Sequence, residues 1–547
     1  MRRFVRRPAT ASLLLLLIYV GLSFQNDTHG YLGDTGGKVA TLRAMEDNGG
    51  LDPDIGYWAA QWDPEGRLHP LPFTIHVGQK WVTVTTVPAL YAAYPLFRLG
   101  GYRGALLVPM LGSVLAALAA RALARRLGGG DGWPAFWVVG LASPLTVYAL
   151  DFWEHSLGVA LIAWATVLLL DLADGSRRWF VPLGAGLLFG AAATMRTEAL
   201  VYAAVATGVV ALVLLVRDRR LGAAVVAGLT VTVGLALPLI GNAALEKATI
   251  GNGIRTERTA RTIETAVRAG GASRAEETAL TTVGFEPRFN ASTYLGGAVA
   301  LLLLLMIGLR SFPATPDARL VAIAAGGVAV LYVLRFSRGL GFVPGLVATT
   351  PLAAIGVARC WANPRARIVG IIGLAALPVV WATQYTGGAG PQWAGRYILP
   401  SGLLLAVAGV AALPRLQRWV GAGLLALAVA VTIFGVAWLS ERSHGVGRSA
   451  EALARRPEPV LISRLAFLAR EGGWYVNDRR WLTAVTDNDV SRAARAVEDA
   501  GLEGFGLVER EDVAEPTTVP GFRATGTDRL EFVAGVQLRV TTFVRNR

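Results

Sequence analysis

Charge is scarce in this sequence. Asp, Glu, Lys and Arg make up only 16% of its 547 residues, where a soluble globular chain carries about a quarter. Cysteine is nearly absent. Cys360 stands alone, which excludes an intramolecular disulfide and any cysteine-based metal site. What fills the sequence is apolar: 53% of the residues are hydrophobic and the mean hydropathy is +0.48. Many runs approach the ~20 residues that carry a helix across a bilayer. The composition is that of a polytopic, all-α membrane protein. The formal charge of +14 does not point to nucleic acid, because much of the basic charge lies in short clusters beside apolar runs, where it sets orientation.

The opening stretch "MRRFVRRPATASLLLLLIYVGLSF" has the basic start and apolar core of a signal peptide. "SFQND" follows it instead of a small-residue cleavage site. A retained first helix with a cytoplasmic N-terminus is expected. Apolar segments fall at 9–25, 86–98, 104–122, 133–150, 155–173, 179–195, 198–216, 221–240, 293–309, 318–334, 343–360, 367–383, 396–413 and 419–439. The second is short and holds two prolines, so it is expected to lie on the membrane surface. Thirteen crossings then put one set of Arg clusters on the cytoplasmic side: the N-terminal arginines, Arg121, Arg125 and Arg126, Arg177 and Arg178, Arg217, Arg219 and Arg220, Arg310 and Arg319, Arg359, Arg365 and Arg367, Arg415 and Arg418. A crossing at 86–98 would put the clusters from Arg121 onward outside, against the positive-inside rule. The expected location is the cytoplasmic membrane, with the C-terminus exterior.

The exterior segments are then a long first loop (26–103), "LDFWEHS" at 150–156, "MRTEA" at 195–199, a loop at 241–291, "RFSRGLGF" at 335–342, "TQYTGGAGPQWAGRY" at 383–397 and the tail from 440. Ionisable residues at membrane-embedded ends collect on this one side, and such residues are costly unless they face a cavity or pathway. In the first loop, "RLHPLPFTIHVGQKWVTVTT" reads as a hairpin turning at Gly78. The tail combines the helix-like "DVSRAARAVEDAGL" with the strand-like "FGLVER" and "VQLRVTTFVR", so residues 441–547 are expected to form a small exterior α/β domain after a transmembrane domain over 1–440. No internal repeat is evident, which weighs against an inverted-repeat transporter.

Four exterior motifs together resemble the GT-C superfamily of membrane glycosyltransferases: "GDTGGK" early in the first loop, "FWEHSLGVAL", "MRTEAL" and "GPQWAGRYILP". That superfamily includes protein mannosyltransferases, aminoarabinose transferases, arabinofuranosyltransferases and oligosaccharyltransferases. The resemblance implies a sugar donor on polyprenyl phosphate and an envelope glycan, lipid or protein as acceptor, met on the exterior face among membrane lipids. Several relatives pair two acids in the first loop, whereas here Thr35 follows Asp34. The motifs require no cofactor. A divalent metal stays an open alternative, since no tight His/Asp/Glu ligand cluster is visible.

Transfer of this kind needs a base for the acceptor proton and cations for the departing phosphate; an inverting reaction needs no covalent intermediate. Asp34 is the candidate base, a carboxylate at a membrane exit where partial desolvation raises the pKa. The competing reading makes it the N-cap of the helix that follows. Lys38, one turn on, either pairs with Asp34 or meets the donor phosphate. Glu154 and His155 form an acid–imidazole pair at a helix start, suited to sugar hydroxyls. Arg196 and Glu198 serve either the substrate or a helix–helix ion pair. Arg396 is the candidate for a bidentate grip on phosphate, supported by Arg335 and Arg338. Gln392, Trp393 and Tyr397 complete the substrate-binding set, the aromatics as sugar-stacking surfaces. The alternatives to a transferase are a transporter or flippase for lipid-linked glycans, an O-antigen-type ligase or polymerase, and a membrane scaffold displaying the tail.

Overall fold

The computed structural model describes residues 7–83, 86–176, 178–216, 219–253, 281–282, 345–384, 393–415, 418–512, 517–533 and 535–546. The expected spans at 293–309 and 318–334, and the candidates Arg335, Arg338 and Gln392, lie outside the described residues.

Among the described residues, helices form over most of the apolar runs. α1 (Pro8–Ser23) starts with its proline in the first turn, where the missing N–H costs nothing. α2 (Gly33–Asp47) follows, then α3 (Val87–Ala105), α4 (Leu107–Arg126), α5 (Trp133–Leu141), α6 (Pro144–Ala149), α7 (His155–Ala173), α8 (Phe180–Met195), α9 (Glu198–Val216) and α10 (Leu221–Thr249). Later come helices Ala353–Arg359, Pro364–Thr383, Leu399–Ala412 and Arg418–Ala454. Among the described residues, six helices are long and apolar enough to cross a membrane: Leu107–Arg126, His155–Ala173, Glu198–Val216, Leu221–Thr249, Pro364–Thr383 and Gly421–Ala454.

Three expected segments take a different form. The run 133–150 breaks between α5 and α6, where Ser143 is extended and caps α6 through its hydroxyl. Pro144, which has no N–H to donate, begins the second piece. Residues 343–360 are likewise split around Pro351, into a turn Leu346–Thr349 and the helix Ala353–Arg359. The expected surface helix at 86–98 is the first part of α3, which continues past a kink at Gly100 and Gly101 to Ala105. The boundary placed at 441 falls inside the helix Arg418–Ala454. At 1.5 Å per residue that helix is about 55 Å long, well beyond a ~30 Å hydrocarbon core.

The first loop carries the hairpin, β1 (Thr74–Val77) paired antiparallel with β2 (Lys80–Thr83) around Gly78. The tail folds on a five-stranded mixed sheet of order β4-β3-β5-β7-β6: β3 (Val460–Ser463), β4 (Arg480–Thr483) and β5 (Gly504–Arg510) are parallel, while β7 (Gln537–Arg545) runs antiparallel to β5 and to β6 (Phe522–Glu531). The amphipathic helix Asp487–Asp499 starts with a Thr486/Asp489 capping box. It buries Val490, Ala493, Ala494 and Val497 with Leu482 and Phe505 of the sheet. Ala59 and Leu68 of the first loop join the same core, and Trp58 Nε1 donates to the Trp481 carbonyl at 3.0 Å. First loop and tail thus share one apolar core, and this fixes the loop against the sheet.

The bundle sorts its loops by end. Arg126 pairs with Asp171 at 2.8 Å and Arg365 with Asp174 at 2.9 Å, gathering the C-terminal ends of α4 and α7 with the start of Pro364–Thr383. The starts of α7 and α9 and the segment before Leu399–Ala412 meet α2 at the other end, as described next.

Candidate active site

α2 begins with Gly33, and its N-cap is Leu32, which offers no side-chain cap. Asp34 is therefore a first-turn residue and not an N-cap, so the capping reading is corrected. Its carboxylate is favourably placed at the positive end of the helix dipole. Arg396 Nη1 donates to Asp34 Oδ2 at 2.8 Å. Arg470 Nη2 stands 3.1 Å from Oδ1. Each carboxylate oxygen is thus held by a different guanidinium. Asp34 retains 25% side-chain exposure against 6% for Arg396 and 2% for Arg470, so the cluster is reached through the carboxylate.

Lys38 does not pair with Asp34. One turn along α2 it points to the start of α7, where its ammonium donates to the Phe152 carbonyl at 3.2 Å and to Glu154 Oε2. Glu154 also accepts from Arg196 Nη1 at 3.3 Å, and Arg196 Nε donates to Glu198 Oε1 at 2.8 Å. The side chains of Lys38, Glu154, Arg196 and Glu198 are all at most 5% exposed. Burial works to raise the Glu154 pKa, but Lys38 and Arg196 outweigh it and hold the carboxyl well below the usual carboxylate range. The Tyr397 ring joins the two groups, with the Arg196 guanidinium 5.0 Å and the Arg396 guanidinium 4.8 Å from its centroid. Arg196–Glu198 is an ion pair, as one of the two sequence readings had it, and it extends into this wider network.

Local backbone explains why these groups meet. Ala394 and Gly395 both take positive φ, 61° and 62°, and the resulting turn delivers Arg396 at the head of the helical stretch Arg396–Ala412. A Cβ on Gly395 would stand 2.4 Å from the Thr281 carbonyl oxygen, so a side chain there would force the turn apart. Glu154 occupies the N-cap position of α7, and Arg196 and Glu198 flank the break between α8 and α9.

Not every candidate joins the network. His155 packs its ring against Trp153 at 4.8 Å and Tyr148 at 5.2 Å, and neither ring nitrogen finds a partner among the described residues. The Glu154 carboxylate faces Lys38 and Arg196, so the adjacent acid and imidazole point to different partners. Trp393 stacks on Trp438 at 5.5 Å, and its carbonyl accepts from the Tyr148 hydroxyl at 2.7 Å. It belongs to the packed interior beside the cluster.

Two residues of the cluster were not singled out from the sequence. Asp151 is 4% exposed and accepts from the Tyr102 hydroxyl at 3.0 Å and from the Phe152 N–H at 2.9 Å. Burial pushes its carboxyl up to about 6, against the opposing pull of Thr35, Tyr102 and Lys38. Its signal was present, an acid at the end of an apolar run in the same "LDFWEHS" stretch as Glu154. Arg470, in the short helix Leu468–Glu471, had no signal, being an ordinary basic residue in a polar tail.

Asp34 faces Arg396 and Arg470, while Glu154 and Glu198 face Lys38 and Arg196. Among the described residues no three His, Cys, Asp or Glu side chains are grouped to hold an ion. What the arrangement does offer is a partly open carboxylate backed by cations, suited to a group that brings both a proton to remove and an anion to hold.

No protein-family model matches this chain, and no curated protein matches it. Among solved structures, ArnT from Cupriavidus metallidurans in the apo state is similar, at 14% identity over 98% of this chain and 98% of that chain, with a TM-score of 0.48. ArnT from the same organism bound to undecaprenyl phosphate is 13% identical over 97% of each chain, with a TM-score of 0.42. The archaeal oligosaccharyltransferase AglB from Archaeoglobus fulgidus, in complex with an inhibitory peptide and a dolichol-phosphate, is 12% identical over 91% of this chain and 69% of that chain, with a TM-score of 0.42. These neighbours are members of the GT-C superfamily. Likeness at this level transfers no residue roles.

Proposed function

We propose that this protein is a membrane glycosyltransferase that moves a sugar from a polyprenyl-phosphate donor to an envelope glycan, lipid or protein acceptor on the exterior face of the membrane. The observation that carries this reading is Asp34, a partly exposed carboxylate at a membrane-side helix start, with one arginine on each oxygen. Asp34 takes the acceptor hydroxyl proton as that oxygen attacks the anomeric carbon, and the bond to the lipid phosphate breaks with inversion. Arg396 steadies the phosphate as negative charge builds on it. Two guanidiniums make a carboxylate a weak base. A phosphate that draws Arg396 partly away from Asp34 strengthens the base when the donor is seated. Lys38, Glu154, Arg196 and Glu198 form the buried framework beneath, and Tyr397 couples it to Arg396.

In this reading the α2 end of the bundle is exterior and the Arg126–Asp171 end cytoplasmic, with both hexosyl and pentosyl donors compatible. Among the described residues the enclosed charges of this network gather at one end of the bundle, which favours a transferase over a flippase. The test is transfer by the purified protein from a panel of undecaprenyl-phosphate-linked sugars, together with glycan and lipid profiles of a strain lacking it. A protein that binds undecaprenyl phosphate but releases no sugar from any donor, in a strain with unchanged envelope glycans, would refute the proposal.

A further inference from the structure

Arg470 comes from the tail, yet it ends on the carboxylate proposed as the base. Its guanidinium is fixed on three sides. Nη1 donates to the Pro72 carbonyl at 2.8 Å, the Phe73 ring lies 5.2 Å from the guanidinium carbon, and Nη2 meets Asp34 Oδ1 at 3.1 Å. A cation this deeply buried is costly unless paired, and Asp34 is the carboxylate that pairs it. The backbone around it is docked as tightly. Tyr31 N–H donates to the Glu471 carbonyl at 3.0 Å, and a Cβ on Gly36 would lie only 1.7 Å from the Arg470 carbonyl oxygen. The glycine after "DT" in the opening motif is what lets the tail reach α2. Since Arg396 holds Oδ2 and Arg470 holds Oδ1, the carboxylate cannot rotate without losing one of them.

We propose that Arg470 is a positioning residue for Asp34, so that the C-terminal α/β unit forms one wall of the site. This rests on the transferase reading above. Arg470 fixes which way the carboxylate faces but does not touch the donor: Nη1 is held by the Pro72 carbonyl, Nη2 by Asp34, and Nε is buried. Arg470→Gln, which keeps a donor for the Pro72 carbonyl, is expected to lower kcat by about 10- to 100-fold, the scale of a misoriented reacting group. KM for the donor and affinity for undecaprenyl phosphate should be unchanged, and Arg470→Lys should restore part of kcat. A cycle of thermal midpoints needs no substrate: Arg470→Gln and Asp34→Asn together should cost less than the sum of the two, because neither charge is then orphaned. If Arg470→Gln does not fold, Arg470→Met, which also removes the charge, replaces it in the cycle. Additive losses, unchanged kcat in a folded variant, or a fall in undecaprenyl phosphate affinity as large as that of Arg396→Gln would each overturn the proposal. A wild-type protein without transfer activity would defeat the functional reading instead, with the cycle and the lipid binding still deciding what Arg470 does.

Discussion

Arginine–carboxylate pairs stand at both ends of the helix bundle, and the difference between them is water. At one end Arg126–Asp171 and Arg365–Asp174 have side chains 30–49% exposed. At the other, Lys38, Glu154, Arg196 and Glu198 are almost completely enclosed. Exposed pairs contribute about 0–1 kcal/mol. Enclosed pairs cost several kcal/mol of desolvation per ion before attraction returns it. A cluster that dear to bury is not explained by stability. Under the proposed mechanism, its placement beside a partly open carboxylate holds that carboxylate and its cations in position.

The comparison is tested most severely at the open carboxylate. Asp34→Asn keeps the shape but cannot take a proton, so transfer should fall ~10²–10⁴-fold while the protein still folds. Near-normal turnover in purified Asp34→Asn would remove the base from the mechanism.

Glu154→Gln should be a structural insult as well, since it leaves Lys38 and Arg196 enclosed with one anion fewer, a loss on the order of 3–5 kcal/mol. Asp171→Asn at the opposite end should cost less than about 1 kcal/mol. Thermal midpoints in detergent compare the two directly, and equal losses would erase the distinction between the ends.

Asp151 sharpens the same contrast through pH. Its pKa rises from an ordinary 3.8 to about 6 on folding, so between those values the folded state binds more protons than the unfolded one. Stability from this group is therefore greatest below about pH 4 and falls as pH rises to about 6, by on the order of 3 kcal/mol in all. In Asp151→Asn that descending limb should vanish, and a midpoint–pH curve identical to wild type would show that Asp151 is not the titrating group. The smallest expected effect on donor affinity is in Arg396→Lys. It retains the charge without the fork, so donor affinity should lie between wild type and Arg396→Ala, which should lose about 1.5–3 kcal/mol.

Much of the helical fold was legible residue by residue. α4, α7, α9 and α10 are apolar runs of sufficient length, and hydrophobicity over such a window needs no tertiary information. The hairpin was legible because two β-rich stretches flank Gly78, and the helix Asp487–Asp499 because its apolar face recurs at helical spacing. The breaks at Ser143–Pro144 and Pro351 were written in the prolines but were masked by the apolar residues around them. β3, β4 and β6 went unread, being short or weakly patterned strands whose partners decide their state.

The site divides in the same way. Asp34, Glu154, Arg196 and Arg396 could be found because a charge beside an apolar run is expensive wherever the chain folds, so each marks itself locally. Which charge meets which was another matter. Lys38 is one helical turn from Asp34, the spacing of an ion pair, yet the approach of α7 gives it to Glu154. Arg470 lies in a stretch with no local cost to betray it, and only the packing of the tail against Gly36 brings it to Asp34. The sequence by itself determined that the chain is helical and membrane-embedded and which residues pay a desolvation penalty, since these follow from local hydropathy. The tertiary structure alone decided the pairing, because electrostatic partners are set by distance in space, and that distance depends on how elements far apart in the chain pack together.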